Sequence, residues 1–150
     1  REDMGSGRMR CAAGWLVARQ NEDGGWGESC ASYMNAARRG RGVSTASQTA
    51  WALMGLLACD GGEHWATIRR GLAFLTTRQR SDGTWDEPQY TGTGFPGYGA
   101  GCRVDPGRAG AALDQGPELS RGFMINYNLY RHYFPMMALG RARRFLQKSP

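Results

Sequence analysis

The sequence lacks long apolar runs: the longest, residues 50–59, falls far short of the ~20 residues that span a bilayer. Any membrane contact is therefore expected to be monotopic. Cysteine is sparse, with Cys11, Cys30, Cys59 and Cys102 unevenly spaced and no Cys-x2-Cys pair. A zinc knuckle or thioredoxin-type site is not expected on that spacing, which leaves buried free thiols in a reducing compartment as the plain expectation. Histidine is rarer still. His64 and His132 have neither a second imidazole nor a cysteine at ligand spacing, so surface or capping roles are expected. No secretory leader is visible, although a truncated start would hide one.

Acidic residues are in the minority, 13 against 19 basic ones, for a net charge of +6. The basic residues crowd into Arg38-Arg39-x-Arg41 and Arg141-x-Arg143-Arg144 with Lys148. Such patches attract anionic lipid headgroups or nucleic-acid phosphates. No nucleic-acid module signature accompanies the charge, so no nucleic-acid partner is expected. Solvated helix ends, with cations complementing a helix dipole, are the ordinary explanation.

What the sequence does have is repetition. Trp15-Leu16-x3-Gln20-x3-Gly24-x-Trp26 and Phe74-Leu75-x3-Gln79-x3-Gly83-x-Trp85 share one internal spacing, 59 positions apart, as Gln20 and Gln79 are. The second copy is fuller and begins at Arg70-Gly71. A glutamine that ends a helix offers its amide to orphan backbone groups there. Asp-Gly supplies a tight turn, and the tryptophan then lies against a neighbouring element with its indole N–H available. The unit is a clasp between adjacent outer helices, a structural role for Gln20, Trp26, Gln79 and Trp85. The turns at Asp23 and Asp82 lack the alternating acidic ligands of a calcium loop, and no metal is expected. Helical repeats bury their apolar faces only against neighbours, and about three or more are needed for stability. The chain is therefore expected to be a fragment of a larger array, poorly stable alone.

Periodicity predicts an all-α chain. Residues 9–19 read as a helix with Ala12, Trp15 and Leu16 on one face, broken by Asn21-Glu22-Asp23-Gly24-Gly25. Residues 29–43 show no period. A helix capped by Ser44 or Thr45 runs to about Cys59, apolar nearly all round and so expected to be buried. Residues 64–79 form an amphipathic helix with Trp65, Ile68, Leu72 and Leu75 inward. This alternation implies two concentric helical layers. Residues 90–101, dense in glycine and aromatics, cannot be regular helix, and 102–115 look like a surface loop. Helix is expected again over 117–133, with Pro135 seeding a last helix over 136–147. Phe123, Tyr127, Tyr130 and Phe134 then fall at i, i+4, i+7 and i+11, as one aromatic stripe.

The repeat strongly resembles the Gln-Trp repeat of triterpene cyclases. Three further blocks, in order, look like the C-terminal part of squalene–hopene cyclases: Ser47-Gln48-Thr49-Ala50-Trp51-Ala52-Leu53, Tyr90-Thr91-Gly92-Thr93-Gly94-Phe95-Pro96, and Tyr130-Arg131-x2-Phe134-Pro135-x2-Ala138-Leu139-Gly140. The Gly-Thr-Gly-Phe-Pro block is similar to the bacterial squalene enzymes, whereas sterol-forming oxidosqualene cyclases usually differ there. The resemblance implies part of an α/α barrel, with residues 1–150 as the C-terminal portion of its catalytic domain. Gln-Trp repeats would lie near 11–26 and 70–85 and an aromatic segment over 90–147. It also implies cofactor-free cyclisation of squalene to hopene or hopanol. The enzyme would lie monotopically on the cytoplasmic side of a bacterial membrane, against its lipid surface, with a homodimer as one assembly.

In that reaction an aspartic acid of an Asp-x-Asp-Asp motif protonates a terminal alkene, and rings close through successive carbocations until proton loss or water capture. Protonating an alkene demands a strong acid, held neutral in a water-poor cavity. The travelling cation needs negative potential without a nucleophile, and desolvated aromatic faces supply up to ~2 kcal/mol each. By the resemblance, Phe95 matches a family phenylalanine that stabilises later ring cations. Phe123, Tyr127 and Tyr130 match the family's cavity-facing Phe-x3-Tyr-x2-Tyr. These four are the candidate substrate-binding residues; an ordinary core stripe is the competing reading.

The sequence departs from the family pattern in two ways. None of the seven aspartates forms Asp-x-Asp-Asp, so no catalytic proton donor is expected in this chain, which alone should be inactive. Residues 98–121 also separate Phe95 from Phe123, which are close in short family members. Two alternatives share the motifs: a non-catalytic α/α-barrel binding domain, and a related terpenoid cyclase acting on another polyprenyl substrate. The zinc-dependent prenyltransferase β-subunits, which share a related barrel, need an Asp/Cys/His set that does not assemble here.

Overall fold

The structure, a computed structural model, describes residues 3–33, 35–59, 62–89, 91–93, 123–125 and 127–148. Four helices carry it: α1 (Gly7–Ala18), α2 (Ala46–Ala58), α3 (Trp65–Arg78) and α4 (Tyr130–Lys148). Two 3-10 turns, Cys30–Tyr33 and Ala36–Arg38, occupy the stretch without a period. A three-residue antiparallel ribbon pairs β1 (Thr91–Thr93) with β2 (Phe123–Ile125). Among the described residues the fold is all-α apart from that ribbon.

The inner layer forms because α2 has almost no polar face. Of the two candidate caps Thr45 is the one used: its hydroxyl accepts the Gln48 N–H at 3.2 Å. Ala50, Leu53 and Leu56 are wholly excluded from water, and α2 packs chiefly against α4 and then against α3. The outer helix α3 is amphipathic as its spacing predicts, with Ile68 and Leu75 buried and Trp65 and Leu72 half-buried. A Cβ on Gly71 would stand 2.8 Å from the Trp26 ring and 2.9 Å from Leu53. Its bare backbone is what lets α3 close on α2 and the first clasp.

Several expectations need correction. In α1 the inward face is Ala13, Leu16 and Val17, while Ala12 and Trp15 are exposed. Of the helix expected over 117–133, the described residues give strand at Phe123–Ile125 and helix from Tyr130 onward. Register pairs at Thr91–Ile125, Gly92–Met124 and Thr93–Phe123 recruit that segment into a ladder, a tertiary pairing that overrides local helical spacing. Phe123 therefore does not share a helical face with Tyr130 and Phe134. Pro135 does not start a helix either; it lies inside α4 and is fully buried. Burial of its ring offsets the one hydrogen bond that its missing N–H removes. Cys11 is exposed and Cys59 half-buried, both as free thiols, so burial of the cysteines holds only in part. Expectations for Phe95 and for residues 98–121 fall outside the described residues.

Candidate functional site

The two clasps have nearly the same atomic design. Gln20 donates its amide to the Gly24 carbonyl at 2.8 Å, and Gln79 to that of Gly83 at 3.0 Å. The indole of Trp26 donates to the Leu16 carbonyl and that of Trp85 to the Leu75 carbonyl, each at 2.8 Å. Both turn glycines are left-handed, Gly24 at φ 87° and Gly83 at φ 83°. Each turn aspartate accepts a backbone N–H two residues on, Asp23 from Gly25 and Asp82 from Thr84. The hydroxyl and N–H of Thr84 hold the Asp82 carboxyl below the ordinary aspartate range. An arginine just before each glutamine lies over the repeat's first aromatic ring, Arg19 on Trp15 at 5.6 Å and Arg78 on Phe74 at 4.7 Å. That arginine keeps the same 59-residue offset as the rest of the repeat, a signal present in the sequence.

The clasps differ in what they hold. Gln20 also donates to the Thr67 carbonyl of α3 at 2.9 Å, and Arg70 of α3 donates to the Asn21 and Glu22 carbonyls at 3.0 Å. The first clasp thus grips the next outer helix. At the second, Gln79 and Gly83 are exposed among the described residues.

Beyond Trp85 the chain ties α2 to α4. Glu87 is buried, and its carboxylate accepts the N–H of Ser47 at 2.8 Å and its hydroxyl at 2.6 Å. A carboxylate there caps the α2 N-terminus and complements its dipole. The Glu87 carbonyl accepts from the Arg131 guanidinium at 3.3 Å, and Arg131 lies 3.8 Å from the Asp86 carboxylate. His132, half-buried, has its Nδ1 3.5 Å from the Trp85 N–H. His64 sits at the α3 N-cap without a side-chain cap bond. No group of three or more metal-binding side chains occurs among the described residues.

These ties fix the start of α4, where the aromatic group stands. Tyr127 stacks on Tyr130 with centroids 4.4 Å apart and planes 9° from parallel. Tyr130 also meets Tyr133 at 5.6 Å and Phe134 at 5.1 Å, both edge to face. From α2, Trp51 meets Tyr130 at 6.0 Å and Phe134 at 5.2 Å in the same manner. Removal from water, then the neighbouring phenols of Tyr130 and Tyr127, holds the Tyr133 hydroxyl above the ordinary tyrosine pKa. Five rings therefore share one region. Phe123 lies in β2 with its backbone opposite Thr93, two residues before Phe95. A cavity of about 700 Å³ meets the group through Trp51 and is bordered also by Trp15, Trp26, Glu28, Glu87 and Thr91, whereas Tyr127 and Tyr130 do not line it.

Paired clasps, a capped inner helix and a tyrosine stack thus stand in one order along the chain. The squalene-hopene cyclase C-terminal domain family matches residues 1–99. The chain belongs to the squalene–hopene cyclase family. That family's α/α barrel accounts for the alternation of inner and outer helices. The chain is 44% identical to the squalene–hopene cyclase of Alicyclobacillus acidocaldarius over 122 residues, 81% of this chain and 15% of that protein. It is 39% identical to the dammaradiene synthase of Dryopteris crassirhizoma, covering 91% of this chain and 18% of that one. With the squalene–hopene cyclase of Bradyrhizobium diazoefficiens it shares 39% identity over 90% of this chain and 17% of the other. The chain thus spans less than a fifth of the length of these relatives. Trp51 and Arg131 stand in the quoted blocks without a role, and Glu87 lies between the second repeat and the next block. Trp51 was visible as a tryptophan in an otherwise aliphatic helix, but only its neighbours on α4 give it a place in the site.

Proposed function

We propose that residues 1–150 are the C-terminal portion of the catalytic barrel of a squalene–hopene cyclase, and that the whole enzyme cyclises squalene to hopene or hopanol without a cofactor. In this reading the proton donor belongs to another part of the enzyme, and Phe95, Phe123, Tyr127 and Tyr130 line the chamber. The observation that carries it is the parallel Tyr127–Tyr130 stack inside a five-ring group, in a chain whose repeats and blocks match the family. Ring faces supply negative potential to a migrating carbocation and offer it no strong nucleophile. Pairing of Thr93 with Phe123 sets the backbone of Phe123 beside the strand that precedes the Gly-Thr-Gly-Phe-Pro block. An apolar triterpene substrate also favours a monotopic seat against the lipid surface of a membrane. Among the described residues no helix is long and apolar enough to cross a membrane.

A second reading, a triterpene cyclase of the same chemistry with another product, draws support from the match to a dammaradiene synthase. Incubating the full-length protein with squalene and identifying the lipid products tests both. Hopene or hopanol is the expected outcome, and Phe95→Ala should release partially cyclised products. A different polycycle would favour the second reading. Untouched squalene beside turnover of another polyprenyl substrate would overturn the first.

A further inference from the structure

We infer that Trp51 is a positioning residue of the aromatic site, holding the Tyr130 ring in its stack with Tyr127 and so fixing which ring face a cationic intermediate meets. The inference rests on the proposed roles of Tyr127 and Tyr130.

The ring neighbours of Tyr130 come from two different parts of the chain. Tyr127, Tyr133 and Phe134 all belong to its own stretch of chain, and any tilt of the start of α4 carries them along with it. Trp51 is the ring contact that ties Tyr130 to a different element among the described residues. That element is α2, whose Ala50 and Leu53 on either side of Trp51 are 0% exposed and whose N-terminus is capped by Glu87. A rigid inner helix is the support from which a ring can be oriented.

The geometry of the contact fits that role. Trp51 approaches Tyr130 and Phe134 at interplanar angles of 77° and 76°, and those two stand at 74° to each other. Tyr130 and Phe134 are one helical turn apart, so the indole wedges against both and restrains rotation of each. Trp51 also keeps 37% of its surface open, unusual for so large a residue on a buried helix, and borders the cavity together with Glu87 and Thr91. It therefore touches both that cavity and the tyrosine stack. A side chain that only filled the core would be closed off on all sides.

The test uses the full-length protein with squalene and compares Trp51→Phe, Trp51→Ala, Tyr130→Ala and the double Ala variant. Trp51→Ala should lower kcat roughly tenfold while KM moves less than about twofold, the pattern of a lost transition-state interaction. The share of partially cyclised products should rise with it, and Trp51→Phe should restore most of the parent distribution. The double variant should be no worse than Tyr130→Ala alone, because the two residues act as a unit. Should Trp51→Ala fail to fold, Trp51→Leu takes its place: it keeps apolar bulk without a ring and should show the same product shift. Parent-like products from Trp51→Ala or Trp51→Leu, beside altered products from Tyr130→Ala, would overturn the inference and spare the site. Unchanged products from Tyr130→Ala would sink the site reading and the inference with it.

Discussion

Gly24 and Gly83 hold the same place in the two clasps, with φ of 87° and 83°, yet alanine should affect them unequally. A Cβ on Gly24 would stand 2.7 Å from the Arg70 carbonyl oxygen and 3.1 Å from its carbon, both backbone atoms of α3. At Gly83 the nearest atom is the Gln79 amide nitrogen at 4.0 Å. Either alanine must adopt a left-handed conformation, at about 1–2 kcal/mol, partly offset by ~0.4–1 kcal/mol from a stiffer unfolded chain. Gly83→Ala should therefore destabilise by about 1 kcal/mol. Gly24→Ala adds an overlap that only a shift of α3 relieves, and overpacking of that kind costs about 1–3 kcal/mol. That shift also stretches the Gln20–Thr67 bond and the two bonds from Arg70. The expected total is about 2–4 kcal/mol. Urea unfolding of the full-length protein, followed by tryptophan fluorescence, reads the difference as a shift in midpoint at constant slope. Equal shifts for the two variants, or a Gly24→Ala midpoint indistinguishable from the parent, would refute the docking of α3 on the first clasp.

Two further outcomes follow from the same contacts. Gln20→Leu strips the donor from two carbonyls and should cost about 2 kcal/mol, against 1 kcal/mol or less for Gln79→Leu, as ~1 kcal/mol per net hydrogen bond implies; the same urea titration checks the order. Glu87→Ala leaves the buried Ser47 N–H and hydroxyl without their partner and should destabilise by about 1–3 kcal/mol. Glu87→Gln, which keeps an acceptor in place, should lose clearly less in thermal melts.

Much of this architecture was legible because it is written in local chemistry. The repeat spacing located both clasps, and the bonds that Gln20, Trp26, Gln79 and Trp85 make are the ones that their donors and a tight Asp-Gly turn permit. The aliphatic run of α2 and the 3.6-residue period of α3 fixed which helix is inner and which outer. In α1 the period misled, because Trp15 turns outward under Arg19 while Ala13 takes the inner position. Small residues carry little weight in a hydrophobic pattern, yet they are the ones that fit at close helix contacts.

The candidate site divides differently. Sequence by itself determined the residue types, the repeat and the order of blocks, since side-chain chemistry and spacing are properties of the chain. Tertiary structure decided which rings meet. It turned Phe123 into a strand residue by pairing it with Thr93, let a buried Pro135 continue α4, and set Trp51 against Tyr130 from 79 positions away. Ladder hydrogen bonds and ring packing depend on partners distant along the chain, and no local pattern encodes who those partners will be.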